Sequence, residues 1–258
     1  TARRGRCMTA EREPLLEGTL ISHLLELRDR LLRAFIAVII VFAPCMYYSN
    51  RLFEILSKPL REQLPAGGTM IATSVTAPFM IPFKLAFMTA LIIAMPYVLF
   101  QVWRFVAPGL YRHEKRFALP LLVSAVLLFY AGVAFAYWVV FPLVFHFFVH
   151  TAPAGVAVMT DISQYMEFVL VLVLAFGLTF EVPVAVVLLV ATNVVPVAKL
   201  KEIRGYVLIA CFVIGAMFTP PDMFSQTIMA VPMYALYECG ILFAQMLARR
   251  KAAPAGSS

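Results

Sequence analysis

One apolar stretch constrains this chain more than any other: Tyr165–Ala191, YMEFVLVLVLAFGLTFEVPVAVVLLVA. It exceeds the about 20 apolar residues that a helix needs to cross a bilayer. Near its middle stands a carboxylate, Glu181, two residues before Pro183. An acidic or basic group at the centre of a membrane helix costs roughly 2.5–3.5 kcal/mol on insertion scales. Glu181 must therefore face protein, water or a partner rather than lipid. Pro183 lacks an N–H and frees a carbonyl one turn earlier, so the helix is expected to bend here. The plain alternative is a carboxyl satisfied by a neighbouring helix. Intramembrane acids are functional by default.

The rest of the chain has the same character. It is 62% hydrophobic, against about 45–50% for a soluble domain. Its apolar runs are continuous rather than alternating, which implies helices and excludes a barrel. The expected fold is all-α: a polytopic membrane protein with six transmembrane helices. The spans read as about Leu31–Tyr48, Ile81–Val102, Phe117–Phe141, Tyr165–Ala191, Tyr206–Phe218 and Phe224–Leu247. The fifth would rise only about 20 Å, against a hydrocarbon core of roughly 30 Å. The sixth is interrupted by Pro232 and carries Glu238, so both read as short, beside a thinned bilayer or a partly wet corner. A re-entrant hairpin over Tyr206–Leu247 is the alternative. Cys7, Cys45, Cys211 and Cys239 show no CxxC spacing, which argues against a disulfide framework or a zinc site.

Basic residues set the orientation. The lead before span one holds Arg3, Arg4, Arg6, Arg12, Arg28, Arg30 and Arg33, and the loop after span two Arg104, Arg112, Lys115 and Arg116. Lys199, Lys201 and Arg204 follow span four, and Arg249, Arg250 and Lys251 follow span six. Of the 21 basic residues, the others are Arg51, Lys58, Arg61 and Lys84, in or beside the loop after span one. The positive-inside rule then places both termini in the cytoplasm. The net charge of +7 reflects this topology, and no nucleic-acid partner is expected.

Residues 1–18 read as a disordered basic lead, 19–248 as the six-helix membrane domain and 249–258 as a cytoplasmic tail. The first apolar run follows a polar lead and reads as a true span, not a cleaved leader. Thr19–Arg33 carries Leu20, Leu24, Leu27 and Leu31 at helical spacing, as an amphipathic helix lying on the membrane surface and running into the first span would. The loop Ser49–Met80 contains a second amphipathic piece, Asn50–Gln63, then a turn at Pro65–Gly68. This reads as a lid over the outer helix ends. No internal repeat is evident.

Hydrolase, kinase and dinucleotide-binding motifs are absent. His146 and His150 are four residues apart, but without a third ligand they read as interfacial rather than metal-binding. Two stretches on the basic side are more informative: HLLELRDR from His23, and FVAPGLYRHEKR from Phe105. Each sets a carboxylate, Glu26 or Glu114, among arginines. Salt bridges on a solvated face, worth about 0–1 kcal/mol apiece, are the plain account. The functional account is a docking surface for a cationic peptide, because a carboxylate takes a guanidinium bidentately and two can read adjacent arginines. Surrounding bases would repel wrong ligands.

HLLELRDRL, FVAPGLYRHEKR, FGLTFEVPV in span four and TPPDMFSQ between spans five and six together resemble the TatC family, the multispanning core of the twin-arginine protein translocase. The resemblance covers essentially Thr19–Ala248. It implies a cup-shaped, six-helix receptor of the bacterial inner membrane, or its plastid equivalent, with both termini cytoplasmic and the fifth and sixth helices short. The receptor recognises folded precursors whose signal peptides carry paired arginines. It needs no cofactor, is not an enzyme, and draws on the proton-motive force. Glu26 and Glu114 match the acids that read the arginine pair; Arg28, Arg30 and Phe105 match positions tied to the same recognition. Glu181 matches a polar residue of the concave face. Pro59 matches a proline of the outer cap, and Asp222 the acid of the outer turn. Thr219 and Gln226 match positions that dock the single-span partners, TatA and TatB. Other TatC copies and membrane lipid complete the implied partners.

Two other classes compete. A proton-coupled small-molecule transporter would use Glu181 as proton carrier and would show discontinuous helices at matched positions of two halves. A passive scaffold, with Glu181 and Glu238 only joining helices, would tolerate charge changes in the basic-side motifs.

Overall fold

The computed structural model describes residues 13–62, 70–106, 115–150, 160–192, 194–218 and 223–252. Within them the chain is helical, and one parallel bridge joins Ile71 to Asp161. Helix α1 (Glu13–Tyr47) runs unbroken from the lead into the first span. This is the amphipathic stretch running into the first span that the spacing of Leu20, Leu24, Leu27 and Leu31 predicts. No glycine or proline falls between Thr19 and Ala43, so nothing interrupts the ladder. Helix α2 (Ser49–Arg61) is the amphipathic piece of the following loop, and α3 (Ala77–Val106) is the second span.

The third span is one rod of three parts: α4 (Lys115–Phe135), a π-helical turn (Ala136–Val140) and α5 (Phe141–His150). It continues past Phe141, where the sequence reading ends it, because FPLVFHFF remains apolar. The fourth span divides into α6 (Ile162–Thr179) and α7 (Val182–Ala191). A short α8 (Val197–Glu202) leads to α9 (Arg204–Phe218), which has 15 residues and is the short fifth span. The last helix, α10 (Met223–Ala252), corrects the expectation of a short sixth: it has 30 residues with Pro232 inside. Proline deletes one backbone bond, and buried Met229, Ala230 and Met233 pin the helix on both sides of it. Five stretches, Leu24–Tyr47, Ala77–Phe105, Leu119–Phe147, Ile162–Ala191 and Gln226–Arg249, are long and apolar enough to cross a membrane. Arg204–Met217 is a sixth, shorter apolar helix.

Between lipid-immersed helices, association rests on close packing rather than hydrophobic burial. Ala86, Ala90 and Ala94 recur one turn apart on α3 and meet Val38 and Cys45 of α1. Phe42 packs edge-on to Phe83, centroids 5.2 Å apart. The two helices are antiparallel, so the start of α1 and the end of α3 share one membrane side, the basic end. The central core joins Phe141, Val144, Val169, Leu172, Phe176 and Met229. Ile241 and Ala244 of α10 pack with Val186 of α7 and Leu200 of α8.

Candidate functional site

At the basic end, Glu26 and Arg30 lie one helical turn apart with the acid first, the favourable order for such a pair. Arg30 Nε donates to Glu26 Oε1 at 3.0 Å, and Arg30 Nη2 donates to the same oxygen. The Arg30 side chain is 14% exposed and that of Glu26 39%, so a fixed guanidinium orients a carboxylate that reaches the surface. Arg28 pairs instead with Asp29 at 2.9 Å, both well exposed. Phe105 sits in the last turn of α3, at the same end. Beside it Arg104 lies over the ring of Phe100 at 5.7 Å, a cation–π contact. One turn earlier Gln101 is buried, and its Oε1 has no hydrogen-bond partner among the described residues. Glu114, Thr219 and Asp222 lie outside the described residues, as do the lead 1–12, the Pro65–Gly68 turn and the tail 253–258.

Deeper in the bundle the bend expected at Pro183 is a break. Glu181 N–H donates to Leu178 O at 3.1 Å, tightening the last turn of α6. Pro183 has no N–H, so the bond to Thr179 O is lost. α7 restarts with Ala185 N–H to Glu181 O at 2.9 Å. Glu181 thus stands at the junction of two half-helices. Its Oε1 is enclosed and has no hydrogen-bond partner among the described residues. Glycines let neighbours close around the break. A Cβ at Gly132 would meet Phe176 O at 2.6 Å, and one at Gly240 would meet Pro183 Cα at 2.9 Å.

At the opposite end α2 is tied to spans three and four. Tyr137 Oη donates to Ile55 O at 2.9 Å and Tyr165 Oη to Leu56 O at 2.7 Å. Asp161 is the knot of this region. Its Oδ1 accepts from Ser163 N at 2.7 Å and Gln164 N at 3.0 Å, capping α6. Its Oδ2 accepts from Thr73 N at 3.0 Å and from the Thr73 hydroxyl. These bonds, that with the Thr73 side chain foremost, hold the Asp161 carboxyl at about 2. Pro59 lies in the last turn of α2.

Gln226, at the start of α10, donates from Nε2 to Phe212 O at 2.9 Å. It borders a groove of about 490 Å³ along α9, lined by Leu208, Phe212, Val213, Ala216 and Met217. Toward the basic end Arg204 Nη2 donates to Glu238 Oε2 at 2.6 Å, and Tyr234 Oη to Glu238 Oε1 at 2.8 Å. Glu238 of the last span is thereby satisfied. On the other side Lys84 Nζ of α3 meets Glu167 Oε1 of α6 at 3.0 Å. Sequence reading missed Asp161, although an aspartate just before an apolar run is an N-cap signal. It also missed the Lys84 and Arg204 pairs, for which sequence separation leaves no local signal.

The profile of the family described as Sec-independent protein translocase protein (TatC) matches residues 22–232. The chain is 54% identical to the Sec-independent protein translocase protein TatC of Azotobacter chroococcum mcd 1, over 97% of this chain and 98% of that one. It is 54% identical to the protein of the same description from Escherichia coli K12, over 88% of each. A solved structure of the twin arginine translocase receptor TatC superposes with a TM-score of 0.79 at 37% identity, covering 87% of this chain and 98% of that one. A second, in DDM, gives 0.80 at 38%, over 86% and 99%. With half-helices meeting at an intramembrane glutamate and the FEVPV motif at the break, the chain belongs to the TatC family and is a multi-pass component of the Sec-independent protein translocase.

Proposed function

We propose that this chain is the receptor of the translocase, binding signal peptides with paired arginines at its cytoplasmic face. The observation that carries this reading is the Arg30–Glu26 pair. A carboxylate already oriented by one mostly buried guanidinium offers a second a preset acceptor, so little ordering entropy is lost on binding. Glu114 is the second acid of the reading, and Arg28 and Phe105 complete the surface. Both termini are then cytoplasmic, in a bacterial inner membrane.

The apolar part of the peptide enters as a hairpin along the open side of span four, with Glu181 the polar group it or a partner helix meets. The groove beside Gln226, with Thr219, supports docking of the single-span subunits TatA and TatB. Pro59 and Asp222 serve the outer cap. Further TatC copies complete the assembly, and transport draws on the proton-motive force. One helix break at Glu181, without a matching break in another half of the described chain, gives the small-molecule transporter no further support.

The test is binding of a paired-arginine peptide and its paired-lysine twin to purified protein in nanodiscs, with wild type and with Glu26→Ala plus Glu114→Ala. Lysine lacks the guanidinium fork. Preference for arginine that the double change erases is the expected result. Equal binding of both peptides by wild type overturns bidentate reading at these acids.

A further inference from the structure

Lys84 and Glu167 form an ion pair inside two apolar spans, 3.0 Å apart, with 53% and 65% of their side chains exposed. Charges so uncovered are costly against hydrocarbon and mark a surface that meets water or a polar partner. The surface they mark continues along span four, whose side chains outside the packed core recur at Gln164, Glu167, Val171, Leu178, Glu181 and Ala185. This spacing is one helical stripe. It carries the charged pair near one end, Glu181 at the break and apolar groups between, a surface suited to an apolar helix with polar ends.

Length and polarity say which helix. Along α3, Phe105 at the basic end and Lys84 are separated by about 31 Å at 1.5 Å per residue, close to the roughly 30 Å hydrocarbon core. A helix entering with its N-terminal arginines at the basic end brings its C-terminus to the level of Lys84. There its last four carbonyls have no intrahelical donor and carry partial negative charge. An ammonium has three donors, and Lys84 gives one to Glu167.

We propose that Lys84 caps the C-terminal end of the inserted apolar helix of the signal peptide, with Glu167 as its counter-ion when no peptide lies along the stripe. This rests on the receptor reading above. It makes the outer end of the stripe a measuring point: an apolar segment too short to reach Lys84 loses the cap.

The test is peptide affinity in nanodiscs for wild type, Lys84→Met, Glu167→Gln and the exchanged pair Lys84→Glu with Glu167→Lys. Lys84→Met is expected to weaken binding three- to tenfold. Glu167→Gln is expected to strengthen it two- to threefold, since it leaves the ammonium less neutralised. A peptide shortened by one helical turn in its apolar part should bind wild type and Lys84→Met alike. The proposal is overturned if both single changes weaken binding equally and the exchange restores it, for then the pair only ties span two to span four. Arginine preference separates the two readings. If it persists while Lys84→Met has no effect, the cap alone fails; if wild type shows no preference, the receptor reading fails and takes the cap with it.

Discussion

The hydroxyl of Tyr137 donates to the carbonyl of Ile55 at 2.9 Å, and Ile55 stands four residues before Pro59. An N–H at position 59 would close the helical bond to that oxygen, and proline has none. The third span thus supplies the donor that α2 gives up, from a residue within its π-helical turn. Tyr137→Phe should lower stability by about 0.5–1.5 kcal/mol, the worth of one hydrogen bond. In a Pro59→Ala background the backbone donor returns, so the same change should cost less than half as much. Thermal unfolding of the four proteins in detergent gives the double-mutant cycle. Additive losses would refute the exchange of donors.

Asp161, at the head of α6 and outside the span, gives the cap an acid limit. Its carboxyl is held at about 2 by the Thr73 side chain first, then by the backbone N–H groups of Gln164, Thr73 and Ser163. Because the folded value lies below the unfolded one of about 3.9, the contribution is complete above pH 4. It is lost as pH falls through the folded value near 2. Unfolding temperature measured from pH 7 down to pH 2 should therefore drop faster below pH 4 in wild type than in Asp161→Asn. Parallel curves would remove Asp161 as the knot of the cap.

The spans were legible because twenty-residue apolar runs leave a chain few alternatives, and Pro183 made a bend beside Glu181 legible, though not a full break. Chemistry that depends on two distant segments was not legible. Lys84 reads in isolation as a topological charge, and only the packing of α3 beside α6 shows its carboxylate. Glu238 reads as a second intramembrane acid until Arg204 and Tyr234 meet it. The length of α10 was misjudged for a related reason. Proline lowers helix propensity locally, but tertiary packing around Met229 and Met233 decides whether the helix ends.

Close approach at α4 and α6 depends on two glycines. A Cβ at Gly132 would press on the carbonyl oxygen of Phe176 at 2.6 Å, and one at Gly177 on the Phe129 ring at 2.7 Å. A Cβ at Gly205, in α9, would meet nothing within 4 Å. Gly132→Ala and Gly177→Ala should each destabilise by about 1–3 kcal/mol through overpacking. Gly132→Ala is expected to be the worse, because backbone cannot swing aside as a ring can. Gly205→Ala should be neutral or stabilising by up to about 1 kcal/mol from helix propensity. Unfolding temperatures in one detergent rank the three, and a Gly205→Ala loss as large as the others would show that helix packing is not the cause.

Glu181 separates hydrogen bonding from charge. Its enclosed Oε1 has no partner among the described residues, at the place where Pro183 costs span four a ladder bond. On the proposed reading, this oxygen accepts from a donor on another helix. Glutamine keeps the shape and the acceptor, whereas alanine removes both and leaves the arriving donor unsatisfied. Such a donor costs about 1–3 kcal/mol in a water-poor site. Export of a folded precursor should therefore fall by roughly tenfold or more in Glu181→Ala, the equivalent of about 1.4 kcal/mol. It should stay within about threefold of wild type in Glu181→Gln, a difference below about 0.7 kcal/mol on the same scale. Initial export rates in vesicles at equal protein level make the comparison. Equal loss in both variants would mean that the negative charge itself, and not the hydrogen bond, is what span four contributes.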